Sequence, residues 1–541
     1  MTPVGRGRGA SGPRLSAPDR RAHTRATGPP PVPYLNIEGD HDMSEQQSDA
    51  AATDTKDRSA HDGARTPEPT DELVTTHHVL RTPSGELSYT ATAGRVVLRE
   101  EVKEDGKWTG FIPKAEMFMT AYVLEGADPK TRPVTFAFNG GPGSSSVWLH
   151  LGLLGPRRVL MGDAGALAPP PWGLADNTES LLAVTDLVFI DPVTTGYSRV
   201  VEGGKAGEYH GFQKDLESVG ALIRLWTSRH GRWLSPKFLA GESYGTVRAS
   251  ALADHLQQRY GLFPNGIMLI SSVIDMGTIR FTEGNDQPTA LYLPTYAALA
   301  HYHGRSGDRS LADVRAEAEA LAARDYPWAL ARGARLTPAE RADIVRRLAA
   351  VTGLSETYVD QVDLRIEHQR FFRELLRDRR QVIGRLDGRF IGYDPDDAGE
   401  RPSHDPSNVA IHGPYAGAFN HYVRQELGYE SDLPYEILTG RVRPWSYAEF
   451  EGRAVTITSM LGQAMRHNPH LRVHVACGYY DGATPYFAAE HAFAHLPIPE
   501  HLRTNIEMRY YEAGHMTYVH EPSRLQQSAD LAAFVRQATE G

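Results

Sequence analysis

The short apolar stretch Lys237-Phe238-Leu239-Ala240 runs into Gly241-Glu242-Ser243-Tyr244-Gly245, and that pentapeptide runs into Thr246-Val247-Arg248-Ala249-Ser250-Ala251-Leu252-Ala253-Asp254-His255-Leu256. The first piece reads as a buried strand and the last as a helix. Between them the chain must reverse within a few residues, which is the demand met by a G-x-S-x-G turn. The glycines suit it, because the turn is too sharp for bulky neighbours and the serine hydroxyl has to stand clear of the sheet. In a chain with 51 glycines the pentapeptide carries little weight alone. The strand before it and the helix after it make Ser243 a candidate nucleophile.

The surrounding pattern agrees with a sheet of that kind. Short apolar strands are predicted at 134–138, 187–190, 238–240, 266–270, 473–476 and 506–511, with helices between them. Strands buried on both faces and separated by helices imply a parallel or mixed sheet covered on both sides. Upstream, Leu87–Thr92 and Arg95–Leu98 read as a hairpin turning at Gly94, followed by a strand at 115–124. The alternation stops between about 276 and 455. There 311–350 is helical in pattern, with Thr337-Pro338-Ala339-Glu340 as a capping-box start, and a second helical run covers 358–386. The expected division is a leader over 1–72, a core over 73–275, a mainly helical insertion over 276–455 lying above the strands' C-terminal ends, and the rest of the core over 456–541.

Composition narrows the function classes. A net charge of −10 offers no broad basic surface for nucleic acid. No apolar run approaches the ~20 residues that span a membrane. Residues 1–42 are rich in Arg, Gly and Pro without the apolar segment of a secretory signal, and the shift at Met43 suggests a translation start there. The single cysteine, Cys477, allows no intrachain disulfide and favours a reducing, cytoplasmic compartment, with export left open. Cys477 itself reads as a small buried hydrophobe.

Acyl transfer by a serine needs a base to take the hydroxyl proton and an acid to orient that base. The strand at 473–476 leads into Cys477-Gly478-Tyr479-Tyr480-Asp481-Gly482, and the strand at 506–511 leads into Glu512-Ala513-Gly514-His515-Met516. Asp481 and His515 therefore stand just past strand ends, in the order serine, acid, histidine expected of an α/β-hydrolase. A tetrahedral intermediate also needs amide donors. Asn139-Gly140-Gly141-Pro142-Gly143, directly after a strand, is suited to supply them as an anion-binding turn. No metal or organic cofactor is called for. The acidic loop Asp394–Asp397 lacks EF-hand spacing and reads as solvated, and Asp191 reads as structural.

Taken together, Asn139-Gly140-Gly141-Pro142-Gly143-Ser144-Ser145-Ser146, Gly241–Gly245 and Gly514-His515-Met516 resemble the three signatures of the serine carboxypeptidases, and 190–198 resembles a fourth. The resemblance spans roughly 80–535. It implies an α/β-hydrolase fold with a mixed central sheet, flanking helices and a helical cap. It further implies a triad of Ser243, Asp481 and His515 with an oxyanion hole at the amides of Gly141 and Tyr244. Asn139, Gly140 and Glu242 would bind the substrate's C-terminal carboxylate, and Tyr197 and Met516 would line the substrate site. A carboxylate held by an amide and a protonated glutamate marks a chain end without a cation. The partner is then a peptide or other acyl substrate; oligomeric state is left open.

Two positions depart from the family pattern. Leu153 stands where a second glutamate is expected, and Ala137 where a tryptophan is expected. Glu242 is therefore expected to lack the carboxyl that would share its proton, so that half of the chain-end network is missing. An acyltransferase or esterase on the same scaffold is the first rival reading, and a catalytically silent binding protein the second.

Overall fold

Strands that are apolar on both faces can only be accommodated between two layers, and the computed structural model, which describes residues 68–540, arranges them so. The main sheet contains β1 (Glu72–Thr82), β2 (Gly85–Glu104), β3 (Lys107–Leu124), β4 (Val134–Phe138), β5 (Asp186–Ile190), β6 (Lys237–Ser243), β7 (Gly266–Ser272), β8 (Arg472–Gly478) and β9 (Ile506–Tyr511). Their spatial order is β1-β2-β3-β5-β4-β6-β7-β8-β9, and the two-residue strand Arg199–Val200 also pairs with β3. The first three strands and the β3–β5 contact are antiparallel, while β5, β4, β6, β7, β8 and β9 run parallel. This is a mixed sheet flanked by helices, the α/β-hydrolase fold.

Side-chain alternation along each strand divides the interior in two. Phe136, Phe138, Leu239, Ile267, Leu269, Val473 and Val475 join the helices Phe212–Arg229, Tyr244–Tyr260 and Thr458–His467 in one core. Ala137, Phe238, Ala240, Met268, Ile270 and Ala476 face the helices Pro406–Gln425 and Glu521–Glu540 in the other. A third core belongs to the block between β7 and β8, where Tyr296, Leu299, Leu321, Leu348, Phe371 and Phe372 pack together. No helix of the described residues is long and apolar enough to cross a membrane.

Several sequence expectations are corrected. The hairpin turning at Gly94 is one strand, β2, with Gly94 in its interior between Leu73 of β1 and Met119 of β3. A Cβ at Gly94 would lie 1.9 Å from the Glu72 carbonyl oxygen, so the glycine marks a close backbone approach and not a turn. The expected boundary at 72/73 falls inside this region, since Asp71 already accepts a hydrogen bond from Val97 N at 2.9 Å. Most of the predicted leader, with the start suggested at Met43, lies outside the described residues. The helical run at 358–386 is broken into Glu356–Gln361 and His368–Glu374, because Asp363 and Leu364 adopt positive φ values of 49° and 64°, and it ends in the two-residue strand Val382–Ile383. Thr337 does form the capping box with Glu340, opening the helix Pro338–Thr352. The acidic loop at 394–397 is not simply solvated: Asp394 and Asp397 pair with the buried Arg373. Among the described residues no cluster of His, Cys, Asp and Glu could hold a metal ion.

Candidate active site

Ser243 ends β6 and precedes the helix Tyr244–Tyr260 with φ 61° and ψ −128°. A side chain held in this sparsely populated region needs surroundings that leave no alternative. Both flanking glycines supply them. A Cβ at Gly241 would lie 2.1 Å from Gly245 O, and one at Gly245 would lie 2.7 Å from Phe138 O. Ser243 is partly exposed while Glu242 and Tyr244 on either side are buried.

Asp481 and His515 meet beside one another although they leave different strands. His515 Nδ1 lies 2.8 Å from Asp481 Oδ2. Asp481 is fully buried, and its other oxygen accepts from Ala483 N and Thr484 N at 2.8 and 2.9 Å. Thr484 Oγ1 donates to Asp481 Oδ2 at 2.7 Å and stands 3.2 Å from His515 Nδ1. Burial works against a charged imidazole here, but the charge and hydrogen bond of Asp481, helped by Glu242, outweigh it and raise the His515 pKa above its ordinary value. The Arg385 charge opposes that rise. The backbone of His515 is fixed by the block between β7 and β8, since His515 N donates to Leu386 O at 2.6 Å.

The loop 139–146 reaches the serine from the end of β4. A Cβ at Gly140 would lie 2.3 Å from Tyr244 N, so a bare backbone is required beside that amide. Gly141 has φ 100° and is partly exposed. The loop is pinned at three places. Ser146 N donates to Asp191 Oδ1 at 2.8 Å, Ser145 N donates to Ile437 O at 2.9 Å, and Arg248 Nη1 donates to Asn139 O at 2.6 Å. Arg248 is itself held by the buried Asp215, at 2.8 and 3.1 Å.

Asn139 and Gly140 open this loop beside Glu242, and a Cβ at Gly140 would lie 2.8 Å from Glu242 O. Asn139 Oδ1 accepts from Leu149 N at 3.0 Å, and Nδ2, the end that acts on Glu242, is buried and completes no hydrogen bond of ordinary geometry. Burial, with the Asp481 charge adding, pushes the Glu242 carboxyl up to about 7 against the opposing effects of His515, Tyr518 and Asn139. Leu153 supplies no carboxyl to Glu242, and a phenol is found there instead: Tyr518 Oη donates to Glu242 Oε2 at 2.7 Å. Leu153 and Ala137 are both buried in the apolar core on this side of the sheet.

Two expected substrate-site residues are packed inside. Tyr197 has no exposed surface, its ring lies edge-on to Phe118 and Tyr435 at 5.2 and 4.9 Å, and its hydroxyl accepts from Arg424. Its surroundings are those of a core tyrosine. Met516 is buried in the same core. Cys477 is buried, and burial pushes its thiol up, away from reactivity. Sequence reading missed Thr484, Arg248, Asp215 and Tyr518. Thr484 and Tyr518 each stand three residues past a triad candidate, a spacing that carries no signal by itself.

The model of the family described as serine carboxypeptidase matches residues 108–318, which include the loop 139–146 and the serine turn but neither Asp481 nor His515. Carboxypeptidase Y homolog A of Talaromyces stipitatus is 34% identical over 119 residues, 22% of this chain and 19% of the relative. The protein of the same name from Penicillium rubens is 28% identical over 208 residues, 37% of this chain and 34% of the relative. The chain thus spans between about a fifth and a third of the length of these curated relatives. Among solved structures, Kex1(delta)p, a prohormone-processing carboxypeptidase from Saccharomyces cerevisiae, aligns with a TM-score of 0.51 at 16% identity, covering 83% of this chain and 91% of that one. At that identity the likeness is one of fold.

Proposed function

We propose that this chain, whose residues 108–318 match the serine carboxypeptidase family model, acts as a member of that family: a serine hydrolase releasing residues from the C-termini of peptides. Ser243 Oγ attacks the carbonyl carbon of the last peptide bond while its proton passes to His515 Nε2, the nitrogen left free by Asp481 at Nδ1. The amides of Gly141 and Tyr244 receive the negative charge that develops on the carbonyl oxygen. Collapse of the tetrahedral intermediate breaks the C–N bond, and His515 returns the proton to the departing amine. Water then attacks the Ser243 ester, giving its proton to His515, and the acid product leaves as Ser243 recovers its own.

The observation that carries this reading is the strained, partly exposed Ser243 on a turn whose glycines are sterically required, in a chain that also joins His515 to a buried Asp481. Asn139, Gly140 and Glu242 would hold the C-terminal carboxylate, with Glu242 protonated so that it donates rather than repels. The esterase or acyltransferase reading draws its support from Leu153 and Ala137, which supply no polar group to that network.

Labelling with a fluorophosphonate probe tests the nucleophile. The chain is expected to react stoichiometrically, and Ser243→Ala is expected to abolish labelling and lower peptide turnover by on the order of 10³-fold or more. A chain that stays unlabelled, or a Ser243→Ala variant that keeps its activity, would contradict the proposal.

A further inference from the structure

A carboxyl poised to bind a chain end must be held in one orientation, and the position that should provide its partner is occupied by Leu153, buried among apolar neighbours. The partner comes instead from the far end of the sequence. Tyr518, in the single turn Thr517–Val519 after His515, is buried and donates to Glu242 Oε2 at 2.7 Å. Its ring occupies a place prepared for it. A Cβ at Gly152 would lie 2.2 and 2.4 Å from the Tyr518 ring carbons Cε2 and Cδ2, and 2.7 Å from Tyr415 Oη. No other residue type could stand at 152 with the ring where it is. Gly152 lies in the π-helical turn His150–Leu154, a widened turn of a kind that often marks functional positions. The carbonyls of that turn are held in place, with Asn177 Nδ2 donating to Leu153 O at 2.9 Å and Ser180 Oγ donating to Leu154 O at 2.8 Å.

The geometry points to Tyr518 as the positioning residue for chain-end recognition, its phenol taking the place of a second carboxyl and holding Glu242 toward the C-terminal carboxylate of a peptide substrate. This rests on the carboxypeptidase reading above. It also changes how the site titrates. Two facing carboxyls share a proton and ionise in two linked steps. A phenol with its pKa held well above the ordinary tyrosine range by burial leaves Glu242 as the one member of the pair that ionises near neutrality. The other titratable groups that act on Glu242 are His515 and Asp481, and Tyr415 stands behind Tyr518. Because the phenol donates to the carboxylate, it favours the charged form, and removing it moves the Glu242 pKa upward.

The test is steady-state kinetics of the full chain and its Tyr518→Phe variant on an N-blocked dipeptide and the C-terminal amide of the same dipeptide, from about pH 5 to 9. Active-site titration with a fluorophosphonate fixes the concentration of competent enzyme in each preparation. The wild type is expected to prefer the free acid. In Tyr518→Phe that preference is expected to fall about tenfold, through KM for the acid, as for loss of one hydrogen bond to an ionisable group. The pH at which KM for the acid rises is expected to move upward. Equal acid-to-amide preference in the two enzymes, or a parallel loss on both substrates with an unmoved pH profile, would overturn the role of Tyr518. A wild type with no preference for the free acid would overturn chain-end recognition itself, and the role of Tyr518 with it.

Discussion

At the scale of single residues, His515 and Glu242 are tied by opposing requirements. In the proposed reaction His515 must be neutral to accept the Ser243 proton, whereas Glu242 must be protonated to receive a substrate carboxylate. Asp481 raises the first pKa, burial brings the second to about 7, and each group's charge acts on the other. The productive form therefore has its proton on Glu242 and none on His515. Raising the pH populates neutral His515 and favours the chemistry, while it also ionises Glu242 and repels free-acid peptides. A bell-shaped kcat/KM is expected for free-acid peptides, and a profile that only rises across the same range for esters that carry no chain-end carboxylate. Profiles of the two substrate types that superimpose would show that Glu242 takes no part in binding the chain end.

At the scale of elements, the helix Tyr244–Tyr260 fixes more than the serine. Through Arg248 it grips the carbonyl of Asn139, and Asp215 on the helix Phe212–Arg229 holds Arg248 in turn. Arg248→Met would leave Asp215 buried without its cation, and losses of this kind cost about 3–5 kcal/mol. Burial already raises the Asp215 pKa, and loss of Arg248 raises it further, so the mutant's folded state gains a proton more readily than its unfolded state. The deficit is thus expected to be largest at neutral pH and to shrink as pH falls through that raised pKa. Urea unfolding at pH 7 and pH 5 checks this; an equal deficit at both values would show that Asp215 is not the source. Elements were legible where one force dominates. The strands from β4 to β8 are mostly apolar runs whose positions follow from burial on both faces, whereas the edge strand β9, with Glu507 and Arg509, is only partly buried. Gly94 misled because a glycine within a strand pattern signals a turn or a close backbone approach equally well, and only the partner strand β1 decides between them.

At the scale of the whole molecule, the candidate site is assembled from segments far apart in sequence, and the helical block between β7 and β8 is part of its framework. Leu386 O receives His515 N, Ile437 O receives Ser145 N, and Trp445 Nε1 donates to Tyr244 Oη at 3.1 Å. The proposed triad of Ser243, Asp481 and His515 is legible in the sequence because each stands after a strand in a fixed order. The place of Tyr518 is not, because it depends on the empty space at Gly152 and on the distant Glu242, and no local pattern records either. Cleavage at a peptide's free C-terminus is the activity proposed for this scaffold. It is tested most directly by incubating one N-blocked peptide, as its free acid and as its C-terminal amide, with the full chain near pH 6 and measuring release of the last residue. Ser243-dependent release from the acid is expected, with the amide at least about tenfold slower. Faster turnover of the amide, or release that persists in Ser243→Ala, would contradict it.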